Sequence, residues 1–186
     1  MASVLQVALF ATESSNWPRI MQAYLDEANL HLKDHRLALD QYPTDRPLIL
    51  PYKGTVVMSA GDPGTVRNLA HQAWPNGRGI PIIFCEFLSN DPAFGETVLD
   101  VAEHDAARGG IHWLPFCLIN TNKKSDSETT ILHEMIHAAY GQSVAHDTDP
   151  DSVFYGSNTE TGIYEIRTLT KKHAELLRQS YFAAVK

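Results

Sequence analysis

Cysteine is scarce in this 186-residue sequence, and the two that are present do not form a metal-binding pattern. Neither Cys85 nor Cys117 belongs to a CxxC motif, which argues against a cysteine-based zinc site. Each lies in an apolar, strand-like run, so we predict two reduced core residues. A disulfide would require that the two strands are neighbours with suitable Cβ geometry.

The signatures of several other protein classes are also missing. The net charge is −7, which argues against a general nucleic-acid binder, since such a protein carries a basic stripe. No apolar run reaches the length of a membrane span. The motifs GxxxxGK[ST] and GxGxxG are absent, so nucleotide binding lacks support, and without GxSxG a serine nucleophile lacks its usual turn. Hydrophobic residues at 44% are typical of a soluble globular protein.

The apolar N-terminal segment is not typical of a secretory signal. Residues 3–11 lack a basic segment before them and a cleavage-like site after them, so we predict a β-strand there. The sequence does not indicate a compartment. If the protein acts outside the cytoplasm, we expect it to need a carrier domain or another export route, or to be a fragment of a longer chain.

Two histidines and a glutamate form the most informative motif, His133-Glu134-Met135-Ile136-His137. On a helix, residues four positions apart share one face, so the imidazoles of His133 and His137 can bind one metal ion. Glu134 lies beside them, where it can take a proton from a metal-bound water. The motif therefore predicts a metal-dependent hydrolase.

The helix that carries this motif has sequence signals at both ends. Ser125 as N-cap and Glu128 match a capping box, and Gly141 is a C-terminal stop. A buried face is predicted beside the histidines by the apolar residues Ile131, Leu132, Met135, Ile136 and Ala139. The alternative interpretation is a buried helix that carries HExxH by chance.

A third metal ligand is expected after this helix. A structural zinc site has four protein ligands, whereas a catalytic one has three and keeps a position for water. We predict His146, because the chain must turn at Gly141 and return under the helix, and four residues can span that distance. A carboxylate further along the chain can also complete an HExxH site. The alternatives are Asp147, Glu160, Glu165 and Glu175.

Three stretches near the C-terminus follow the order of a known pattern. His133–Asp147 holds HExxH followed by a glycine and a third histidine, and Ser152–Tyr155 has the character of a turn below a metal. A final helix is indicated by Leu169, Thr170, Ala174, Leu177 and Tyr181. Over residues 125–182 the chain thus resembles the metzincin clan of HExxH zinc peptidases.

The chain departs from the metzincin pattern at two points. Gly141 stands one place later, and His146 three places later, than the usual spacing. Phe154 occupies the place of the clan's methionine, but a phenylalanine can also provide an apolar floor under the metal.

A second resemblance concerns the stretch His133–Ala139 and the ending Tyr181-Phe182-Ala183. Both are similar to metallopeptidase toxin domains attached to bacterial type VI secretion spikes. This likeness implies a secreted antibacterial effector that is delivered into a target cell as part of a larger protein. It also implies two partners, a carrier protein and a dedicated immunity protein.

The residues and the metzincin resemblance together predict a zinc metallopeptidase with one Zn2+ per chain. His133, His137 and His146 are the expected ligands, and the fourth position holds a water whose pKa the metal can lower to about 7. Glu134 acts as the general base and then protonates the leaving amine.

The substrate is expected to be a peptide or protein. Tyr155 or Tyr164 is a candidate hydrogen-bond donor to the oxyanion, and the alternative for each is a core or surface aromatic. An extended substrate pairs with a sheet edge in metzincin-like enzymes, and by resemblance Ile111–Phe116 or Ile80–Phe87 offers that edge.

Two other functions remain open for the same residues. One is a zincin-fold binding module that holds metal without cleaving, although the intact Glu134 argues against it because a purely structural site needs no base. The other is a metal-dependent amidase that acts on a non-protein amide. It would use the same chemistry, and the residues do not separate it from a peptidase.

The order of elements predicts the fold class. Strands and helices alternate before the motif and helices dominate after it, which indicates an α/β (α+β, zincin-like) fold. We expect a mixed, twisted sheet with the HExxH helix packed on one face. One domain is predicted over 1–186, with a sheet-rich part, 1–141, and a small helical C-terminal part, 142–186. The predicted strands are 4–10, 36–42, 55–59, 80–87 and 111–120, and the predicted helices are 16–32, 62–73, 98–107, 125–140 and 170–183.

Overall fold

Strands and helices alternate along most of the structure, which is a computed structural model that describes residues 3–75, 79–99, 115–123, 129–155 and 167–185. The strands are β1 (Ser3–Thr12), β2 (Leu37–Tyr42), β3 (Leu48–Leu50), β4 (Thr55–Val56), β5 (Ile80–Phe87), β6 (Gly95–Val98), β7 (Phe116–Asn120) and β8 (Ala183–Val185). The helices are α1 (Met21–Lys33), α2 (Asp62–Ala73), α3 (Thr130–Tyr140) and α4 (Lys171–Gln179).

The strands form one sheet of mixed direction in the order β2-β1-β5-β7-β6. Strands β2, β1, β5 and β7 are parallel, and β6 runs antiparallel to β7. The short strands β3 and β8 pair with β1, and β4 pairs with β5. Strands β1 and β5 are covered on both faces, which explains their nearly continuous apolar sequences. The predicted mixed α/β sheet is confirmed.

Helices cover both faces of the sheet. On one face α1, α3 and α4 pack in a core that includes Leu9 and Phe84, and on the other face α2 packs in a core that includes Phe10 and Phe87. The helix with the HExxH motif therefore lies on one face of the sheet, as predicted. Within the described ranges, none of the helices is both long and apolar enough to cross a membrane.

The sheet edge beside α3 is β6, a strand that the sequence did not predict. Val98 ends this strand, although it was the predicted start of a helix, and positions 100–107 lie outside the described residues. The expectation that Ile80–Phe87 offers a free edge is wrong, because β5 lies between β1 and β7. Phe116 begins β7, which is also interior, and 111–114 lie outside the described residues.

Several predicted boundaries are also wrong. The segment 43–53, predicted as a loop, contains β3, and the predicted strand 55–59 shortens to β4 before the 3-10 turn Met58–Ala60. Helix α1 begins at Met21, after the 3-10 turn Trp17–Arg19, and α4 ends at Gln179 before β8. The missed strands β3 and β8 have three residues each and form by pairing with β1, a tertiary contact that local sequence does not encode.

The two cysteines are free and buried, as predicted. They lie on the neighbouring strands β5 and β7, but Cys117 belongs to the core under α3 and Cys85 to the core under α2. The thiols thus occupy opposite faces of the sheet. Burial raises the pKa of both well above the usual range of a cysteine.

We expect both thiols to be unreactive in the folded protein, because the thiolate is the reactive form and burial disfavours it. A chromogenic thiol reagent should label neither cysteine under native conditions and both in denaturant. Rapid labelling of the native protein, or only background labelling of the denatured, unreduced protein, would contradict the described core.

Candidate metal centre

Helix α3 presents two of the three predicted ligands. It ends at Gly141, which adopts a left-handed conformation with φ of 66° and so confirms the predicted stop. It begins at Thr130 with Thr129 as N-cap, later than the capping box predicted; Ser125 and Glu128 lie outside the described residues. Its predicted apolar face is confirmed by the full burial of Ile131, Leu132, Met135 and Ile136, and Ala139 is partly buried.

Three histidine nitrogens converge at one point beside this helix. The Nε2 atom of His146 lies 3.1 Å from Nε2 of His133 and 3.0 Å from Nε2 of His137. Nitrogen ligands about 2.0–2.1 Å from a tetrahedral ion lie about 3.3 Å apart, close to the spacing found here. The three residues could therefore hold one metal ion.

The alternatives to His146 occupy other positions. Asp147 accepts a hydrogen bond of 2.6 Å from the Ser152 hydroxyl, and Glu175 lies exposed on α4 with Arg178 and Gln179. Neither carboxylate joins the histidine cluster. Glu160 and Glu165 lie outside the described residues.

A backbone carbonyl fixes the orientation of the first ligand. Nδ1 of His133 lies 3.0 Å from the carbonyl oxygen of Val153, so the natural donor at this contact is the Nδ1 proton. A neutral imidazole protonated at Nδ1 has its lone pair at Nε2, the atom that faces the cluster. Metal-binding histidines usually have such a partner. Val153 is held in turn, because its amide donates to the Thr168 carbonyl at 3.0 Å.

Phe154 forms the floor of the cluster. Its buried ring lies 5.3 Å from that of His133, 4.6 Å from that of His137 and 5.2 Å from that of His146, measured between centroids. The Asp147 amide donates to the Phe154 carbonyl at 3.0 Å. This hydrogen bond joins the residue after His146 to Phe154. An apolar floor was the role expected for this residue.

Another histidine, His173, packs against Phe154. The ring of His173, on α4, is fully buried, and its centroid lies 5.1 Å from that of Phe154. Its Nδ1 lies 3.0 Å from the Thr170 hydroxyl and 3.7 Å from an Asp147 carboxylate oxygen. Thr170 is the N-cap of α4. His173 thus supports the ligand loop through its Nδ1 side and is not part of the cluster.

Glu134 is buried beside the ligands and is held by strand β6. One of its carboxylate oxygens lies 2.6 Å from the Thr97 hydroxyl, which is also 2.9 Å from the Glu134 backbone carbonyl. A Cβ atom at Gly95 would lie 3.0 Å from Cγ and Oε1 of Glu134, so the glycine leaves room for this side chain. Residues 95 and 97 alternate with Glu96 and therefore face α3 together.

Burial sets the protonation of the cluster. Burial, together with the neighbouring imidazoles, lowers the pKa of His133 to about 3 and that of His137 to about 4. The two rings are thus neutral near pH 7 and available to a metal. Burial raises the pKa of Glu134 to about 8, against the lowering effect of the Thr97 hydrogen bond.

The cluster opens into a cleft of about 420 Å³. Strand β6 and the residues before it line one wall, with Phe94, Gly95 and Glu96. His146, Tyr155 and Arg167 line the cleft elsewhere, and the ring of Tyr155 lies 5.8 Å from the guanidinium carbon of Arg167. Tyr155 thus lines the cleft, whereas Tyr164 lies outside the described residues.

The sequence did not identify Gly95, Thr97 or Arg167 as residues of this site. They precede or follow the motif by thirty positions or more and have no ligand spacing. The sheet and the loop bring them to the cleft, and no local pattern signals it.

No known family model matches this chain, and no curated protein matches it either.

We expect one metal ion per chain, and each of the variants His133→Ala, His137→Ala and His146→Ala should weaken its binding by on the order of 100-fold or more. Elemental analysis after dialysis and titration with zinc would measure this. The matched controls are His31→Ala and Glu175→Ala, which lie outside the cluster. Loss of metal from Glu160→Ala or Glu165→Ala while His146→Ala retains it would contradict the three-histidine site.

The stability of the metal-free protein should fall with pH because of Glu134. Between about pH 4.5 and 8 this carboxyl is protonated in the folded protein and ionised in the unfolded chain, so unfolding releases a proton. Its contribution should decline by up to about 1.4 kcal/mol per pH unit in that window. Glu134→Gln keeps the shape and removes this titration.

Urea unfolding in a chelator, from pH 4 to 9, compares the two proteins. We expect Glu134→Gln to gain stability relative to the wild type as pH rises. A difference that does not change with pH would show that Glu134 titrates normally.

Proposed function

We propose that this chain is a zinc-dependent metallopeptidase that hydrolyses peptide bonds. The observation that carries the proposal is the convergence of three Nε2 atoms beside a buried carboxylate in an open cleft. Imidazole is a favoured zinc ligand, and three protein ligands leave one position open, as in catalytic zinc sites. A purely structural site would need neither Glu134 nor the cleft.

Zinc held by His133, His137 and His146 would lower the pKa of a bound water and polarise the substrate carbonyl. Glu134 would take a proton from a water as the water oxygen bonds to the carbonyl carbon, and would give that proton to the amine nitrogen as the C–N bond breaks. Thr97 and Gly95 keep the carboxylate in one place during both transfers.

Strand β6 is the sheet edge that suits an extended substrate. It pairs with β7 on one side and borders the cleft with Gly95, Glu96 and Thr97. A peptide that adds to this edge by main-chain hydrogen bonds would bring its carbonyl groups past the histidine cluster. Tyr155 also lines the cleft, and in the proposed mechanism its hydroxyl donates a hydrogen bond to the oxyanion.

We expect Glu134→Gln to retain zinc and fold but to lose about 100-fold or more in turnover, because the amide cannot accept a proton. The substrate is a broad peptide library with cleavage read by mass spectrometry. Expression with export to the periplasm of a bacterial host gives a second readout, growth. Glu175→Gln, an exposed residue of α4, is the matched control.

The neighbours of Glu134 supply a graded version of this test. Thr97→Val removes the hydroxyl and should lower turnover while zinc content stays the same, and Thr97→Ser should restore it. Equal cleavage by Glu134→Gln and the wild type would show that Glu134 is not the general base. If the zinc-loaded wild type cleaves none of the library peptides, the proposal that the protein is a peptidase is wrong.

A further inference from the structure

Arg167 is attached to the loop that holds the first ligand. The Thr168 amide donates to the Asp151 carbonyl at 2.6 Å, and the Thr168 carbonyl accepts from the Val153 amide at 3.0 Å. The Val153 carbonyl in turn faces Nδ1 of His133. Two backbone hydrogen bonds and one side-chain contact therefore tie the backbone next to Arg167 to the loop that orients His133. Consistent with proximity, its charge helps to lower the pKa of His133.

The charge of Arg167 has no protein counter-ion within the part of the chain that the structure describes. Its guanidinium carbon lies 5.8 Å from the centre of the Tyr155 ring, a distance typical of a cation–π interaction. It is half-buried and is the one arginine or lysine among the described residues that line the cleft. The protein as a whole is acidic, with a net charge of −7. A lone, partly desolvated cation in such a cleft favours an anionic ligand.

We propose that Arg167 binds a carboxylate of the substrate and so gives the cleft a preference for acidic peptides. This inference rests on the proposed function. A guanidinium offers two parallel N–H donors that match a carboxylate, and the ring of Tyr155 limits the positions that it can adopt. Phe94 and Leu99 add an apolar surface elsewhere in the cleft. The carboxylate belongs either to an aspartate or glutamate side chain or to the C-terminus of a peptide.

Binding is tested without turnover, by calorimetry on the zinc-loaded protein. The probes are dicarboxylic acid monohydroxamates with two, three or four methylene groups, each compared with the analogue in which an amide replaces the carboxylate. We expect at least one acid to bind about tenfold more tightly than its amide, as for a charge-assisted pair. Arg167→Gln should remove that difference, and Arg167→Lys should keep part of it. Lys53→Gln, an exposed cation outside the cleft lining, is the matched control.

Cleavage then distinguishes the two sources of the carboxylate. One peptide pair differs by glutamate or glutamine near the cleaved bond, and the other by a free or amidated C-terminus. Preference for glutamate indicates an endopeptidase for acidic sequences, and preference for the free C-terminus indicates a carboxypeptidase. Arg167→Glu should reverse either preference towards basic peptides.

Three results would overturn the assignment of Arg167. In the first, the acid and amide hydroxamates bind equally whatever the number of methylene groups. In the second, the preference for the acid hydroxamate persists in Arg167→Gln. In the third, Arg167→Gln slows the cleavage of all peptides by the same factor. The last result would place the guanidinium at the oxyanion. Failure of the proposed function looks different, because the hydroxamate preference would still depend on Arg167 while the zinc-loaded wild type leaves every peptide intact.

Discussion

The return of the chain under α3 is the constraint on which the site depends. Gly141 ends the helix in a left-handed conformation, and the loop that follows brings the Nε2 atom of His146 to within 3.1 Å of that of His133. The same loop places the Val153 carbonyl at the opposite nitrogen of His133 and the Phe154 ring beneath all three imidazoles. The third ligand, the group that orients His133 and the apolar floor thus come from nine consecutive residues, 146–154.

A second constraint comes from the direction of β6. This strand runs antiparallel at the edge of an otherwise largely parallel sheet, beside α3. Gly95 allows the strand to approach Glu134 closely, and Thr97 holds the carboxylate through its hydroxyl. The strand that suits substrate pairing is therefore also the strand that positions the proposed base. A change in the pairing of β6 would affect both.

Local patterns predicted the parts of this structure that depend on local rules. The 3.6-residue period predicted the buried face of α3, and Gly141 predicted where the helix ends. The four-residue spacing predicted that His133 and His137 lie on the same face. His146 was predicted from a chain-length argument and lies in the cluster, while Asp147 and Glu175 do not. Strands β3, β6 and β8 were missed because each is short and forms by pairing with a distant segment. Arg167 and Thr97 were missed for the same reason, since tertiary pairing alone brings them to the cleft.

The central claim is that His133, His137 and His146 bind one zinc ion, with Glu134 beside it and outside the ligand set. Anomalous diffraction at the zinc absorption edge, from crystals of the purified protein, tests it most directly. The account predicts one anomalous peak per chain, about 2.0–2.1 Å from the three Nε2 atoms and without a bond to Glu134. A peak bound by a carboxylate in place of His146, or no peak at this cluster in zinc-loaded crystals, would contradict it.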